Sequence, residues 1–510
     1  MFYNLHSTTI DHTVFFPPSV RYDSNTMQKQ QLIQHLYKIV AKTSVLVDKD
    51  ELHPYECDGL SAYKFLPWLV VLPESIKQIQ KIVKLCFDNN IPIIARGAGT
   101  GLSGGALPQE NCLILSLAKL NQILNIDPIA RSAQVQPGVR NLAISAAAEP
   151  FGLYYAPDPS SQIACSIGGN VAENSGGVHC LKYGLTVHNI LEVKIISIEG
   201  ELITLGGQSL DSPGYDLLAL ITGSEGLLGI IVDITVKLLP IPEKAQVLLA
   251  AFDNVLDAGK TVGEIIANGI IPAGLEMMDK LAINAAEDFA HAGYPKEAAA
   301  ILLCELDGTI EEVEQSIFAV KKIAEKNNAD SLRISQNETE RALIWAGRKA
   351  AFPAVGRLSP DYYCMDGTIP KKCLPEILDS INKLSEQYNL PVANVFHAGD
   401  GNLHPLILYD ANIEGELERT EEFGAKILEL CVKVGGTITG EHGVGIEKID
   451  QMCIQFQSQE LQQFHSIKAA FDRKTLLNPG KAVPSLHRCA ELGGMHVHDG
   501  QLPHPELDRF

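Results

Sequence analysis

At 510 residues the chain exceeds the roughly 250 to 300 residues at which a single hydrophobic core stops growing, so more than one domain is expected. With 46% hydrophobic and 20% charged residues the composition is ordinary for a globular protein, and 61 acidic against 41 basic residues, a net charge of −20, argue against nucleic acid or an anionic membrane as the main partner. Apolar runs fall short of the roughly 18 residues that span a bilayer, and MFYNLHSTTIDHTVFF lacks the basic flank and long apolar core of a signal peptide, which points to the cytoplasm.

From about residue 50 to 240 strands, glycine-rich loops and helices alternate. SIKQIQKIVKLCFDNN has helical spacing, IPIIAR and CLILSL read as strands, and NILEVKIISIEGELITL reads as a hairpin turning at Glu199 and Gly200. LLPIPEKAQ then punctuates the chain. Beyond it come strand AQVLLAAF, helix DAGKTVGEIIANG, strands AGLEMMD and AAILLCEL, and helix IEEVEQSIFAVKKIAEKN. After an irregular stretch follow helix LPEILDSINKLSEQYN, a hairpin around HAGDGNLH, and helices ELERTEEFGAKILELCVKVGG and QELQQFHSIKAAFD. This order suggests a split β-α-β unit with helices on one face of an antiparallel sheet. Residues 486–510 read as a histidine-containing tail.

Three loops of the first half are rich in glycine. IPIIARGAGTGLSGG leads from a strand into Gly97, Gly99 and Gly101, but position 102 is Leu and LSGGALPQ starts a helix poorly, so the context excludes the Rossmann form. The loop can still surround an anion with backbone N–H groups, and Arg96, Thr100 and Ser103 add polar reach. PDPSSQIACSIGGNVAENSGGVHCLKYG repeats the device at Gly168, Gly169, Gly176 and Gly177, and TGSEGLLGI adds a third loop from Thr222 to Ile230. Three loops that admit close approach to the backbone suit a large ligand; three unrelated surface turns are the alternative.

In the second half, HAGDGNLH sets two histidines around Asp400-Gly401, a two-residue hairpin signal. Such a turn pairs residue 399 with 402, 398 with 403, and His397 with His404, placing the two imidazoles near enough to share a metal ion. A solvated hairpin with incidental histidines is the competing reading. GGTITGEHGVGIEK offers a third ligand in Glu441, between glycines that let the backbone bend, with His442 as a spare base. Two imidazoles and a carboxylate leave a coordination position open for substrate, as in catalytic metal sites. From these residues alone a zinc hydrolase, or a non-catalytic nucleotide-binding subunit, also stays open.

Taken together, RGAGTGLSGG, PSSQIACSIGGNVAENSGG, HAGDGNLHP, GTITGEHGVGIEK and LLNPGK resemble the FAD-linked D-2-hydroxy acid dehydrogenases and oxidases, nearest the flavin subunits of glycolate oxidases, over about residues 50 to 485. The resemblance implies an α+β protein with a vanillyl-alcohol-oxidase-type (p-cresol-methylhydroxylase-type) FAD-binding domain, a ferredoxin-like substrate or cap domain, and C-terminal helices. The expected boundaries are an N-terminal extension at 1–49, the FAD-binding domain at 50–240, the cap domain with the metal hairpin at 241–415, helices completing the FAD site at 416–485, and the tail at 486–510. Family FAD-binding positions fall on Arg96, Gly97, Ala98, Gly99, Thr100, Gly101, Ser103 and Pro159. They continue on Ser166, Gly168, Gly169, Asn170, Asn174, Gly176 and Gly177, and then on Glu225, Ile230 and Asn478. Family metal ligands fall on His397, His404 and Glu441, with zinc or manganese implied, the base on His442, and the carboxylate-binding arginine on Arg348 in WAGRKAAFP. Relatives with covalent flavin carry a histidine in the first loop; none lies in residues 96–105, so FAD is expected to be held without a bond.

The implied reaction is oxidation of a D-2-hydroxy acid to the 2-oxo acid, with hydride passing to flavin N5. Eleven cysteines, scattered without a C-x-x-C, read as reduced thiols and exclude an internal iron–sulfur relay of the usual spacing, so electrons are expected to leave through a partner. Family glycolate oxidases pair such a chain with a second flavin subunit and an iron–sulfur subunit that serve a quinone chain, which makes a peripheral membrane association an expectation here. Relatives that take D-2-hydroxyglutarate carry polar anchors at positions that fall on Phe352, Cys364 and Leu406. A second carboxylate without a partner there costs a few kcal/mol or more, so a small monocarboxylic substrate is expected, glycolate before D-lactate.

Overall fold

The computed structural model describes residues 27–209 and 214–485; the expected tail and the first part of the N-terminal extension lie outside them. A four-stranded sheet runs Val45–Leu46, Leu69–Val71, Leu113–Ser116, Ile93–Arg96, the last three parallel. A five-stranded antiparallel sheet runs Ile123–Asp127, Ser132–Val135, Ile230–Lys237, Ile190–Ile196, Leu202–Gly206. Helix Ile76–Asp88 joins one core with both, because Ile79, Ile82, Val83, Cys86 and Phe87 fall on a single face. Its start is fixed by Ser75, whose Oγ accepts from Gln78 N at 3.3 Å. The hairpin expected at Glu199 and Gly200 is present, with Ile196 opposite Leu202 and Gly200 at φ +87°.

The third sheet has seven antiparallel strands in the order Ser331–Ile334, Lys244–Phe252, Ala300–Gly308, Gly274–Asp279, Val392–His397, Asn402–Tyr409, Asp361–Cys364. Helices cover both of its faces, not one. Leu248, Ala250 and Phe252 join a core with helices Val255–Ala267, Ile310–Lys326, Leu374–Tyr388 and Glu416–Lys433; Val247, Leu249 and Ala251 join another with Lys280–Ala290 and Glu338–Val355. AQVLLAAF is apolar on both sides, so its sequence carries no alternation that would separate one covered face from two. Helix Glu338–Val355 occupies the stretch expected to be irregular; Gly347 and Pro353 inside it break the apolar period.

Toward its C-terminal end the chain returns to the first glycine loop. Asn478 N donates to Ile93 O at 2.8 Å, and Asn478 Nδ2 donates to Gly105 O at 3.0 Å and Glu225 O at 2.8 Å. Lys481 Nζ donates to Gly105 O at 2.8 Å and Leu107 O at 2.6 Å. Nine cysteines are free thiols, whereas Cys453 is disulfide-bonded, against the expectation of reduced thiols throughout. Among the described residues no helix is long and apolar enough to cross a membrane.

Candidate active site

A cavity of about 500 Å³ is walled by the glycine loops and by residues from the seven-stranded half. Of the expected cofactor positions, Arg96, Gly97, Ala98, Gly99, Thr100 and Gly101 line it, as do Pro159, Ser166, Gly168, Gly169, Asn170, Gly176 and Glu225. Ser103, Asn174, Gly177, Ile230 and Asn478 do not line it; they stand behind the wall. Asn174, at φ +54°, accepts from Val187 N at 2.9 Å, Gly177 packs on Asp158, Ile230 opens its strand, and Asn478 ties two loops together.

The wall fits a flavin dinucleotide. A Cβ on Gly168 would lie 2.6 Å from Pro137 Cβ, so only glycine lets this loop sit where it does, and Gly226 is open around its missing side chain. Buried Arg96 Nη1 and Glu173 Oε2 have no hydrogen-bond partner, which leaves polar atoms for a ligand to meet. Helix Ile167–Glu173 begins in this wall at Ser166, whose Oγ accepts from Gly169 N at 3.4 Å.

His404, Glu441 and His442 line the same cavity. The hairpin that carries the histidines turns over four residues, 398–401, so His397 lies opposite Asn402 and His404 opposite Val395, correcting the expected pairing of the two histidines. Gly399 N is drawn to Leu275 O at 2.9 Å, and Asn402 N to Asp400 Oδ1 at 3.0 Å, which takes both amides out of the tighter turn. The register differs by two residues, an even number, so both imidazoles stay on one face as diagonal neighbours, with ring centroids 4.9 Å apart.

His397 Nε2 and His404 Nε2 lie 3.4 Å and 3.1 Å from the same Glu441 oxygen, and the ligand-type atoms of the three lie within 4.8 Å of one another. Each imidazole is fixed through its other nitrogen: His397 Nδ1 is 2.8 Å from Glu276 Oε1, and His404 Nδ1 is 3.2 Å from Met365 O. Second contacts of this kind orient metal-binding histidines, so the set fits a divalent metal. Burial disfavours charge on His397, but Glu276 and Glu441 outweigh it and raise that imidazole well above its usual range; burial likewise opposes ionisation of Glu441, which His397 and His404 hold well below the carboxylate range. His442 stacks on His404 at 4.9 Å and 11°, and its Nδ1 has no partner. Burial lowers it to about 4 against the opposing pull of Asp366, leaving a neutral ring able to accept a proton.

Two organising residues escaped the sequence reading. Glu276, between Leu275 and Met277 in the strand GLEMMD, anchors His397, and a carboxylate flanked by apolar residues inside a strand was the available signal. Asp366 accepts from Gly440 N at 3.0 Å, His442 N at 2.9 Å, Thr439 Oγ1 at 2.6 Å and Asn402 Nδ2 at 3.0 Å, so it shapes the Glu441 loop; no local pattern announces it.

Arg348 is not brought to the cavity wall. Its side chain is 2% exposed and faces Glu276, with Nε donating to Oε2 at 2.9 Å. A carboxylate buried in that strand requires a counter-charge, and Arg348 supplies it. The cavity face of the same helix is Lys349, Phe352 and Pro353. Phe352 lies 6.2 Å from the His404 ring, whereas Cys364 and Leu406 are a buried cross-strand pair outside the cavity lining.

Residues 67–206 match a family described as FAD binding domain, and residues 241–482 match FAD linked oxidases, C-terminal domain. The chain belongs to the FAD-linked oxidases and is an oxidoreductase carrying an FAD-binding domain. It is 62% identical over 484 residues to the glycolate oxidase subunit GlcD of Escherichia coli strain K12, with 95% of this chain and 97% of that one covered. It is 40% identical to GlcD of Bacillus subtilis (84% and 91% covered) and 32% identical to a D-lactate dehydrogenase of Anaerostipes hadrus (87% and 96% covered). Among solved structures, 4-ethylphenol oxidase from Gulosibacter chungangensis superposes with TM-score 0.77 at 17% identity (91% and 99% covered), and p-cresol methylhydroxylase with 0.76 at 18% (90% and 98% covered). These distant likenesses show the fold, that of the vanillyl-alcohol-oxidase type.

Proposed function

We propose that the protein oxidises a small D-2-hydroxy acid, glycolate first and D-lactate second, to its 2-oxo acid. The observation that carries this reading is that His404, Glu441 and His442 share one cavity with the glycine loops. FAD in that cavity would supply the hydride acceptor, and zinc or manganese at His397, His404 and Glu441 would supply a Lewis acid for the substrate hydroxyl. His442 takes the hydroxyl proton at Nδ1, the atom left without a partner. The helix carrying Arg348 and Lys349 supplies positive charge for the substrate carboxylate. Lys349 is at the wall, and Arg348 would have to turn from Glu276 to reach it. Phe352 closes the wall with an apolar ring, which favours a short substrate without a second carboxylate.

Relatives named as glycolate oxidase subunits support a multi-subunit assembly, here with a second flavin subunit and an iron–sulfur subunit passing electrons to a quinone chain. The placement of the chain is cytoplasmic, reaching a membrane only through such partners. FAD is held without a covalent bond, so acid precipitation releases it into solution.

The test is a panel of glycolate, D-lactate, L-lactate and D-2-hydroxyglutarate with an artificial dye as acceptor. Glycolate is expected to give the highest kcat/KM and NAD no reduction. Highest kcat/KM on D-2-hydroxyglutarate would overturn the pocket assignment, and preference for L-lactate the assigned flavin face. Lys349→Ala is expected to raise KM with metal content unchanged, whereas Arg348→Gln lowers metal content through Glu276. An Arg348→Gln protein that keeps its metal and only loses KM returns the carboxylate to Arg348.

A further inference from the structure

Ligand-type atoms converge a second time beside the first set. Cys364 Sγ, a His404 nitrogen and a His442 nitrogen all lie within 4.8 Å of one another. Their placement follows from the sheet. Cys364 ends the strand Asp361–Cys364 opposite Leu406, two residues along from His404, so thiol and imidazole are diagonal neighbours on one face. His442 arrives from the Glu441 loop and stacks on His404. The thiol is bound only weakly, with Sγ 3.5 Å from Met365 O, and His442 Nδ1 is buried with no partner.

The two sets differ in softness. His397, His404 and Glu441 offer two imidazoles and a carboxylate; Cys364, His404 and His442 offer two imidazoles and a sulfur. Thiolate ligands favour thiophilic ions over magnesium, calcium or manganese. We propose that Cys364, His404 and His442 form a second metal set, selective for thiophilic divalent ions such as cadmium, which inhibits the enzyme when filled. The ion enters from the main cavity, where His404 and His442 are at the wall, and Cys364 closes the set from behind, where it borders a smaller cavity of about 130 Å³. Metal–ligand bonds of about 2.0 to 2.3 Å require the side chains to draw together by about 1 Å. Binding forms one metal–sulfur bond and two metal–nitrogen bonds, releases the thiol proton to solvent and involves no redox change. The binding stands on these three side chains alone. The inhibition rests on the functional reading above, since a filled set withdraws His404 from the first metal and occupies the lone pair of His442.

The test is titration of cadmium into flavin-loaded enzyme, following thiolate-to-metal charge-transfer absorbance by difference spectroscopy and dye-linked glycolate oxidation in parallel. Wild type is expected to show one equivalent of thiolate signal over the range in which it is inhibited. Cys364→Ser loses that equivalent and needs at least tenfold more cadmium for half inhibition of its own activity. His397→Ala, which removes a ligand of the first set only, keeps the signal. Should Cys364→Ser fail to retain flavin, His442→Asn serves instead and must weaken the signal likewise. A signal that survives Cys364→Ser, equal inhibition of Cys364→Ser and wild type, or loss of the signal in His397→Ala overturns the proposal. Absence of hydroxy-acid oxidation in wild type would sink the functional reading and leave the thiolate signal to be judged by itself.

Discussion

Glu276 joins two residues that a sequence view keeps apart, Arg348 and His397. It is 1% exposed, and burial alone would push its carboxyl up; His397 and Arg348 outweigh burial and hold it ionised. Glu276→Gln keeps an oxygen for His397 Nδ1 but removes the charge that sets the ring's basicity. Metal affinity is then expected to fall by roughly 10- to 100-fold, measured by metal analysis after dialysis against graded chelator, with flavin absorbance unchanged. The same substitution leaves Arg348 as a buried charge without its partner, an arrangement that costs about 3 to 5 kcal/mol, so the thermal midpoint should drop as well. His397→Ala and His404→Ala are expected to lose metal and nearly all turnover while staying yellow, because the glycine loops owe nothing to either ring. Loss of flavin together with metal in a folded variant would show that the two sites are not separable.

At the scale of elements, the glycine loops work through what they exclude. A Cβ at Gly168 would meet Pro137 Cβ at 2.6 Å and Pro137 O at 3.0 Å, and backbone has to move to relieve it. Gly168→Ala should therefore cost about 1 to 3 kcal/mol and weaken FAD retention, read by the flavin-to-protein absorbance ratio after gel filtration. These loops were legible in sequence because closely spaced glycines are a local signal, as were the amphipathic helices and the sharing of one face by the two hairpin histidines. The hairpin's register was not legible: it depends on Leu275 O taking the Gly399 amide, a contact between strands far apart in sequence. The pairing of Arg348 with Glu276 was not legible for the same reason, since Glu276 is 72 residues away along the chain. Helix Glu338–Val355 was hidden by its own Gly347 and Pro353, yet its Lys349 and Phe352 shape the cavity wall.

At the scale of the whole molecule, the two halves are pinned together by His179. Its Nδ1 is 2.8 Å from Asp158 Oδ2 and its Nε2 is 3.1 Å from Glu305 Oε1, while Arg341 Nη1 and Trp345 Nε1 also donate to Glu305. Burial opposes charge on His179, but Asp158 and Glu305 raise it to about 10; burial opposes ionisation of Glu305, but His179 and Arg341 lower it to about 2. A raised imidazole stabilises the fold fully below its unfolded value, about 6.5, and its contribution is lost as pH rises toward 10. A depressed carboxyl contributes above about 4.3 and its share is lost as pH falls toward 2. Denaturant melts of wild type and His179→Gln from pH 5 to 10 should therefore differ most at the acid end and converge toward pH 10; a constant gap would show that His179 is not charged in the fold. The return of residues 476–482 to the first glycine loop has a consequence for biosynthesis. Ile93 N and Ile93 O are taken by Leu476 and Asn478, and Gly105 and Glu225 are tied by the Asn478 side chain. A nascent chain still lacking those residues has every described strand but an unlatched flavin loop. Cofactor loading is therefore expected to wait until residues 476–482 have left the ribosome, and a chain stalled before Leu476 is expected to emerge colourless.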